Sequence, residues 1–462
     1  MAKAKLTNVQ GLNLRLSPFQ HSQLLRAVNI TTNQIGAKEK RPGYGTYLGT
    51  ADGEDVKTLF NWTLNNGTQF WNYRFSGSQL FYSTQGTGDW TVCGNGTFTG
   101  SYVGHAVLNE VLIAGDGAGS TRHTSDGTSF TNTTLAPVSE QFEEYQGRIY
   151  AIGTASNLFY STVGTASDWS TDSSSILIPG AGKNNLLFKA SDRLHIGKNS
   201  GLMFRWDGYS LVDLSTESNY SSPYSIGNIE GYRIGLNRLG FYGNGGDKPE
   251  LLSNAIEKQI YNDEGNAIAG TTFDTAPGIF FKHDYLCSVG TISDDFTYGT
   301  VSNCIQKYDI QLNEWLNWSF ANKPNAFGTY KDESGNLQLI WGDTAGQCYR
   351  LAGTALSDNG NPIETVMEGF IDGGSFEEKK WNWIRGVFNP NSRAKVQIAL
   401  TNSLEHRTLK WQDLVIGNDG VAEMDFPAGA RSRFCFWKIY ESSTDSRFKF
   451  YGWEYSADII KH

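Results

Sequence analysis

The segment LFYSTQGTGDWT at residues 80–91 has a near copy, LFYSTVGTASDWS, at residues 158–170. The two copies begin 78 residues apart, which is about twice the roughly 40-residue length of one β-propeller blade. Halfway between them RHTSDGTSFTN begins at Arg122, with His123 in the place of the aromatic residues Tyr82 and Tyr160. The sequence therefore predicts a repeated β-sheet unit.

Weaker copies of this unit continue along the chain. Their anchor residues are Tyr82, His123, Tyr160, Phe204, Phe241, Tyr308 and Tyr349, and successive anchors are 41, 37, 44, 37, 67 and 41 residues apart. The long step contains LLSNAIEKQIYN, in which Leu252, Ile256 and Ile260 have helical spacing. We expect a short helix inserted near residues 250–262. The predicted fold is all-β, with a β-propeller of about seven blades over residues 50–355 and with six or eight blades as alternatives.

Each clear copy places an aromatic residue just after a Gly or Asp turn. Such a turn can form the outer hairpin of a blade, and a blade cannot cover its own apolar faces. We predict that Trp90, Phe130 and Trp169 pack between adjacent blades.

The two ends of the chain differ from the repeats. Residues 1–49 read as an arm that leads into the first blade and joins the closure of the ring. After a polar loop near residue 355 the strands alternate more cleanly, as in AKVQIALT, where Val396 and Ile398 share one face. We expect a C-terminal β-sandwich-like domain over residues 360–462.

Composition excludes several classes of function. The net charge of −9 argues against a protein that grips nucleic acid tightly. The five Cys form no CxxC, and the seven His form neither HxH nor HExxH, so we expect buried thiols, no metal and no cofactor. The opening residues contain no apolar run, so we expect no membrane span and folding in a cytoplasm.

Several stretches resemble bacteriophage tail proteins. GLNLRLSPFQ at residues 11–20, LLRAVNI at 24–30 and KEKRPGYGTYLG at 38–49 resemble the start shared by many of them. LLSNAIEKQIYN, GIFFKHDYLCSVG at 278–290 and IQKYDIQLNEWLNWS at 305–319 resemble the middle of the tail nozzle proteins of short-tailed phages, also called packaged-DNA stabilisation proteins.

This resemblance implies a structural, non-enzymatic protein of the virion that is assembled in the host cytoplasm. Nozzle proteins are β-propellers that form a ring, here expected to be a hexamer, below the head-to-tail connector. The implied partners are further copies of the chain, the connector or adaptor, other tail proteins, and DNA in transient non-specific passage. An acidic surface would keep the contact with DNA weak.

The N-terminal arm carries apolar side chains on an otherwise polar stretch. We predict that Leu12, Leu14, Phe19 and Leu24 dock onto the neighbouring ring, because an exposed apolar arm gains burial from a partner. The alternative is that these side chains pack against the chain's own propeller.

Two other functions stay open. Exposed aromatic residues could bind a host carbohydrate receptor, most naturally through the C-terminal domain. A lesser alternative is a sialidase-like glycosidase, because TSDGTSF at residues 124–130 resembles the Asp-box hairpin, one residue short. That enzyme would need Arg122, Arg148, Arg205, Arg233 and Arg350 to converge. The carboxylate pairs, including Glu143 and Glu144, are expected to lie in solvated turns.

Overall fold

The structure is a computed structural model of the 462-residue chain. It describes residues 2–6, 9–10, 24–33, 36–64, 67, 69–84, 88–153, 156–170, 175–214, 220–262, 265–266, 268, 270–292, 300–332, 334–403 and 409–460.

The N-terminal region contributes five short strands. They are β1 (Ala2–Leu6), β2 (Arg26–Val28), β3 (Ile30–Thr32), β4 (Lys38–Lys40) and β5 (Gly43–Thr46). Strands β3 and β4 pair with each other, and all other pairings of this region join it to the second half of the chain. The arm is thus built into distant sheets.

Five four-stranded antiparallel sheets follow in chain order, each with its strands in sequence order. Blade 1 is β6 (Val56–Leu64), β7 (Gln69–Ser76), β8 (Gln79–Thr84) and β9 (Thr91–Thr97). Blade 2 is β10 (Gly104–Leu108), β11 (Val111–Gly115), β12 (Arg122–Thr124) and β13 (Thr131–Asn132). Blade 3 is β14 (Phe142–Tyr145), β15 (Arg148–Ile152), β16 (Asn157–Tyr160) and β17 (Ser175–Leu177). Blade 4 is β18 (Asn184–Ala190), β19 (Arg193–Lys198), β20 (Met203–Trp206) and β21 (Leu211–Asp213). Blade 5 is β22 (Gly227–Ile229), β23 (Tyr232–Asn237), β24 (Gly240–Asn244) and β25 (Glu250–Leu251), preceded by a 3₁₀ turn at Pro223–Ser225.

An insertion separates blades 5 and 6 and explains the one irregular repeat step. It contains a 3₁₀ turn (Asn254–Ile256), helix α1 (Glu257–Ile260), the hairpin strands β26 (Tyr261–Asn262) and β27 (Gly265–Asn266), and helix α2 (Gly270–Thr275). The predicted helix is therefore present but short, and Ile256 and Ile260 are fully buried.

Blades 6 and 7 complete the ring. Blade 6 is β28 (Gly278–Phe281), β29 (Asp284–Ile292), β30 (Val301–Asp309) and β31 (Glu314–Ser319). Blade 7 is β32 (Ala326–Lys331), β33 (Leu337–Gly342) and β34 (Cys348–Ala352), and N-terminal β5 supplies its fourth strand by pairing with β34. First strands of successive blades lie side by side, as in β10 with β14, and β32 of blade 7 lies against β6 of blade 1. The described sheets thus form a seven-bladed propeller closed by the arm.

Gly43 allows this closure. Strand β5 lies between β34 and the short strand β35 (Ser357–Asp358), which pairs in turn with β36 (Asn361–Pro362). A Cβ atom on Gly43 would lie 2.0 Å from the carbonyl oxygen of Ser357. Any side chain there would push the closing strand out of the sheet.

The C-terminal region is a sandwich of two sheets. Its strands are β37 (Thr365–Ile371), β38 (Lys379–Phe388), β39 (Lys395–Thr401), β40 (Gln412–Leu414), β41 (Val421–Asp425), β42 (Arg431–Ser432), β43 (Phe434–Glu441) and β44 (Lys449–Ile459). One sheet has the order β37-β43-β39-β40, and the other contains β41-β38-β44 with β42 and the N-terminal strands β1, β3 and β4. Trp437 and Trp453 meet between the sheets, with ring centroids 5.7 Å apart.

The sandwich is continuous with the propeller. Strand β2 pairs in parallel with β31 of blade 6 and antiparallel with β37 of the sandwich. Blade 6 and half of the sandwich therefore form one nine-stranded sheet. The sheet of blade 7 continues through β35 and β36 to Pro362, so it extends past residue 355 and into the range predicted for the sandwich, and the arm joins the two regions.

The repeat anchors identify one position in each blade. Tyr82, His123, Tyr160, Phe204, Phe241, Tyr308 and Tyr349 each lie on the third strand in chain order of a different blade. All five cysteines are buried free thiols. Within the described residues, no helix combines the length and apolar character needed to cross a membrane.

Candidate functional sites at the propeller centre and the arm junction

The centre of the propeller contains a cavity of about 480 Å³ lined by residues from blades 1 to 5. Its wall includes Asn61, His105, Glu140, Glu143 and Arg233. Concave sites with a few converging polar groups are the usual places for ligands. This cavity, called the central cavity below, is the first candidate site.

Two cavities at the centre of the ring are separated by a small group of side chains. Tyr102, Pro223 and Ile226 line both the central cavity and a neighbouring cavity of about 440 Å³, so they form the partition between the two. The rings of Tyr102 and Tyr224 stack with their centroids 4.1 Å apart, and the Tyr224 hydroxyl donates to Glu140 Oε1 at 3.4 Å. Burial raises the pKa of Tyr102 to about 12 and also raises the pKa of Glu140. Side chains that precede blade 2 and blade 5 therefore contact each other between the two cavities.

An ion-pair network ties blades 3, 4 and 5 together beside the central cavity. Glu143 Oε2 accepts from the backbone N–H of Lys189 at 3.2 Å and lies 3.6 Å from Arg233 Nη2. The Lys189 ammonium lies 3.0 Å from Glu144 Oε2, and Arg233 Nε donates to the Lys189 carbonyl. The expectation that Glu143 and Glu144 lie in a solvated turn is wrong. They stand on β14, whose partners in the ring hold them half-buried.

Two histidines, one in blade 2 and one in blade 4, stack on phenylalanine rings. His105 stacks on Phe60 at 4.0 Å between ring centroids, and His195 stacks on Phe188 at 4.9 Å. His195 has no exposed surface, and neither of its ring nitrogens has a hydrogen-bond partner. Burial lowers the pKa of each to about 4. Both imidazoles are therefore neutral at pH 7.

His195 should make the fold sensitive to acid. The unfolded chain takes up a proton on this residue near pH 6.5, whereas the folded chain does so only near pH 4. Stability is therefore lost as the pH falls through this window, by up to about 3 kcal/mol from this residue. Replacing His195 with Phe should remove this loss while leaving stability at pH 7 unchanged or higher. Urea unfolding at a series of pH values measures the effect.

His283 provides the control for that experiment. It is part-exposed, and its hydrogen bond to Asp284 raises its pKa. His283→Phe should therefore keep the acid-induced loss of the parent protein. An equal pH slope for the parent and His195→Phe would contradict the assignment.

The second candidate site, called the arm junction below, is formed by the cations of KEKR at residues 38–41. Each of three side chains pairs with a carboxylate from a different region. Lys38 Nζ lies 2.7 Å from Glu314 of blade 6, Lys40 Nζ 2.9 Å from Glu441 of the sandwich, and Arg41 Nη2 2.6 Å from Asp358 after blade 7. All six side chains are almost completely buried. Buried ion pairs from one short segment thus connect the propeller to the sandwich.

Arg41 uses every donor of its guanidinium group. Two parallel bonds join it to Asp358, Nη1 to Oδ1 at 2.8 Å and Nη2 to Oδ2 at 2.6 Å. Nε donates to Asn29 Oδ1 at 2.8 Å, and the remaining N–H groups reach the carbonyls of Pro42 and Ser319. Burial raises the pKa of Asp358, and the guanidinium opposes that shift. Such bidentate pairing is the strong form of this contact.

Residues 24–30 and the inserted segment after blade 5 both contact blade 6 beside this junction. Trp318 Nε1 donates to the Ile30 carbonyl at 2.8 Å, and β2 pairs with β31. In the inserted segment, the Leu252 carbonyl accepts from Trp315 Nε1 at 3.2 Å, and Gln259 Oε1 accepts from Gln306 Nε2 at 2.9 Å. The stretch at residues 278–290 forms the first two strands of the same blade.

Of the four residues predicted to dock onto a partner, the structure describes one. Leu12, Leu14 and Phe19 lie outside the described residues. Leu24 is described and is fully buried in the chain's own core, together with Val28 and Ile30. Leu24, which lies two residues before β2, therefore packs against its own chain, as the alternative reading expected.

The three residues predicted to pack between blades lie at blade boundaries. Phe130 is buried in the cluster that joins blades 1 and 2, and Trp169 in the cluster that joins blades 2 and 3. Trp90 is partly buried and packs on the cluster between blades 7 and 1, with its ring centroid 6.3 Å from that of Tyr47.

The five arginines considered for a sialidase-like site do not converge. Only Arg233 lines the central cavity. The others contact Phe98 (Arg122), Tyr160 (Arg148), Asp247 (Arg205) and Tyr330 (Arg350). The Asp-box-like turn is structural, since Asp126 Oδ1 accepts from the N–H groups of Thr128 and Ser129.

One cluster on blade 6 has the side chains of a metal site. His283, Asp284 and Asp309 place ligand atoms within 4.8 Å of one another. The Lys307 ammonium already lies there, 2.6 Å from Asp284 Oδ1 and 4.0 Å from Asp309 Oδ2. Because this buried cation balances the carboxylates, we assign the cluster to an ion-pair network.

No protein-family model and no curated protein matches the chain. Similar solved structures include YCF48 from Cyanidioschyzon merolae, with 9% identity and a TM-score of 0.44 over 67% of this chain and 98% of that one. The computationally designed Ika8 protein has 11% identity and a TM-score of 0.38 over 66% and 99% of the two chains. The extracellular domain of BT4673 from B. thetaiotaomicron has 10% identity and a TM-score of 0.46 over 86% and 57%. At these levels the matches assign no activity, ligand or partner to this chain.

Proposed function

We propose that the chain is a non-enzymatic structural protein of a bacteriophage tail. In this proposal, copies of the chain assemble as a ring, a hexamer, below the head-to-tail connector, and packaged DNA is retained by the ring and leaves through it. Its partners are the connector or adaptor and other tail proteins.

One observation carries the proposal. Residues 24–30, which resemble the start of phage tail proteins, are far in the chain from residues 305–319, which resemble tail nozzle proteins, yet the two stretches contact each other. Independent chance similarities would have no reason to meet in space. Their contacts also make the arm, the propeller and the sandwich into one connected building block, which suits a part that bears load in an assembly.

The DNA path in this proposal lies on the axis of the ring of copies. The rings of Tyr102 and Tyr224 contact each other between the two central cavities of the single propeller, which supports a path for the duplex outside that propeller. The acidic chain, with a net charge of −9, favours weak and mobile contact with phosphates over tight binding. A closed ring follows if one heterologous contact between copies repeats with the right rotation.

Cross-linking mass spectrometry on virions of the phage that encodes the chain tests the assembly. We expect cross-links between copies of the chain and from the chain to connector or adaptor proteins. Cross-links to fibre proteins alone would contradict the proposed position and favour a receptor-binding role.

An activity assay tests the non-enzymatic part. The purified chain should release no fluorophore from 4-methylumbelliferyl sialosides or β-glycosides above the buffer rate, because the five arginines do not converge. Turnover that is lost in Arg233→Ala, the variant of the one arginine at the central cavity, would contradict it. Arg148→Ala is the matched control, because Arg148 does not line the central cavity and instead contacts the ring of Tyr160.

A further inference from the structure

A third cavity, of about 330 Å³, opens between blades 2, 3 and 4. It is called the blade 3–4 pocket here. Seven of its eleven lining residues are polar, among them Ser139, Glu140, Gln141, Asn184, Asn185 and Asn199, and the others are apolar residues or glycines. Glu140 and Gln141 also line the central cavity, so the two spaces share a wall. Its volume lies within the usual range for small-ligand sites, roughly 300–1,000 Å³.

Unpartnered carboxamides distinguish this pocket from an ordinary surface groove. Asn184 is only 7% exposed, and neither Oδ1 nor Nδ2 of its side chain has a hydrogen-bond partner. Asn185 Oδ1 is also buried without a partner. Buried polar atoms are almost always paired, and leaving one unpaired is costly. Three such atoms at one pocket lack a partner within the described chain, so a molecule in the pocket could supply one.

The local fold gives no structural reason for a polar residue at position 184. Asn184 begins β18, where the pairing with β19 is interrupted by a bulge before Leu186. The neighbouring Asn199 Oδ1 is already used, because it accepts a hydrogen bond from the backbone N–H of Lys183 at 3.0 Å. The Ser139 hydroxyl is also engaged, since it donates to the Gln141 carbonyl at 2.9 Å.

The chemistry of the lining selects a neutral ligand. An anion would require clustered basic groups, and the one basic residue of the lining, Lys183, is exposed. A divalent cation would require several carboxylates, and the lining offers Glu140 alone. Burial raises the pKa of Glu140, which weakens its charge further. A carboxamide presents a donor and an acceptor side by side, which matches two adjacent hydroxyl groups.

We propose that the blade 3–4 pocket binds one sugar residue of a carbohydrate. A rotation of the Asn184 carboxamide toward the pocket pairs its Oδ1 and Nδ2 with two adjacent hydroxyls. Asn185 Oδ1 accepts from a third hydroxyl, and the Glu140 carboxyl bonds a fourth. The site goes beyond the proposed tail function and does not depend on it, because its residues lie outside the arm junction.

Saturation-transfer NMR and calorimetry on the full chain test this site. The probes are the methyl glycosides of glucose, galactose, mannose and N-acetylglucosamine at millimolar concentration. We expect at least one to bind, and we expect Asn184→Leu to weaken that binding roughly tenfold or more, because two hydrogen bonds are lost. Asn184→Leu should also melt at the same or a higher temperature, because it removes two unpaired polar atoms.

Asn157→Leu is the matched control. Asn157 lies on β16, where its Nδ2 donates to Ser175 Oγ at 3.0 Å, away from the pocket lining. This variant should bind the probe like the parent chain. If Asn184→Leu does not fold, Glu140→Gln and Asn185→Ala provide the same comparison with smaller changes.

Three results would overturn the proposal. The first is that no sugar of the panel binds at millimolar concentration. The second is binding that neither Asn184→Leu nor Asn185→Ala weakens. The third is binding of triglycine in place of the sugars with the same dependence on Asn184, which would assign the pocket to peptide.

Discussion

Replacing Arg41 with Met should lower the free energy of unfolding by about 3–5 kcal/mol, because it leaves the Asp358 carboxylate buried without its partner. Arg41 has no exposed side-chain surface and makes five hydrogen bonds to Asp358, Asn29, Pro42 and Ser319. The loss should be smaller at low pH, since the orphaned carboxyl can then take up a proton. Urea unfolding followed by tryptophan fluorescence measures it.

An exposed pair of the same chemistry is the control for this prediction. Arg393 and Asp445 are also bidentate, but their side chains are 63% and 61% exposed. Arg393→Met should cost less than about 1 kcal/mol. The double variant Arg41→Met with Asp358→Leu should recover part of the loss, because no unpaired charge then remains. An equal effect of Arg41→Met and Arg393→Met would contradict the role of the buried pair.

Replacing Lys40 with Met should also cost about 3–5 kcal/mol and should separate the unfolding of the sandwich from that of the propeller. Lys40 is fully buried, and its ammonium pairs with Glu441 at 2.9 Å and donates to the carbonyls of Ser443 and Ser446. Of the three cations at the arm junction, Lys40 is the one whose carboxylate partner, Glu441, lies in the sandwich. Calorimetry should therefore show one transition in the parent chain and two in the variant.

Lys449→Met is the comparison for Lys40. Lys449 pairs with Glu39 of the same arm at 3.6 Å, and its side chain is 43% exposed. This variant should keep a single transition and lose less than about 1 kcal/mol. A single transition in Lys40→Met as well would show that the shared sheet alone couples the two regions.

The repeat pattern of the sequence was sufficient to predict the propeller. Each blade carries its anchor on its third strand, and the anchors of blades 4 to 7 are buried, so the spacing from Tyr82 to Tyr349 follows the blades even where sequence identity is weak. The position of the inserted helix also followed from Ile256 and Ile260, because apolar residues at helical spacing need one buried face. Its length did not follow, since the hairpin after Ile260 interrupts it.

The arm junction could not be predicted from the sequence. The sequence around Lys38, Lys40 and Arg41 gives no sign of their carboxylate partners, which lie hundreds of residues away in the chain. The Pro-Gly pair after them indicated a turn and did not indicate that Gly43 is enclosed by Ser357. The sequence also does not distinguish Asn184 from other asparagines, because only three-dimensional packing shows that its carboxamide lacks a partner.

A cryo-electron microscopy map of the virion would show whether the chain has the proposed place in the tail. We expect six copies of the seven-bladed propeller in a ring coaxial with the head-to-tail connector, with the DNA path on the ring axis and outside each propeller. Isolated copies at the tips of fibres, or DNA density running through the centre of a single propeller, would contradict it.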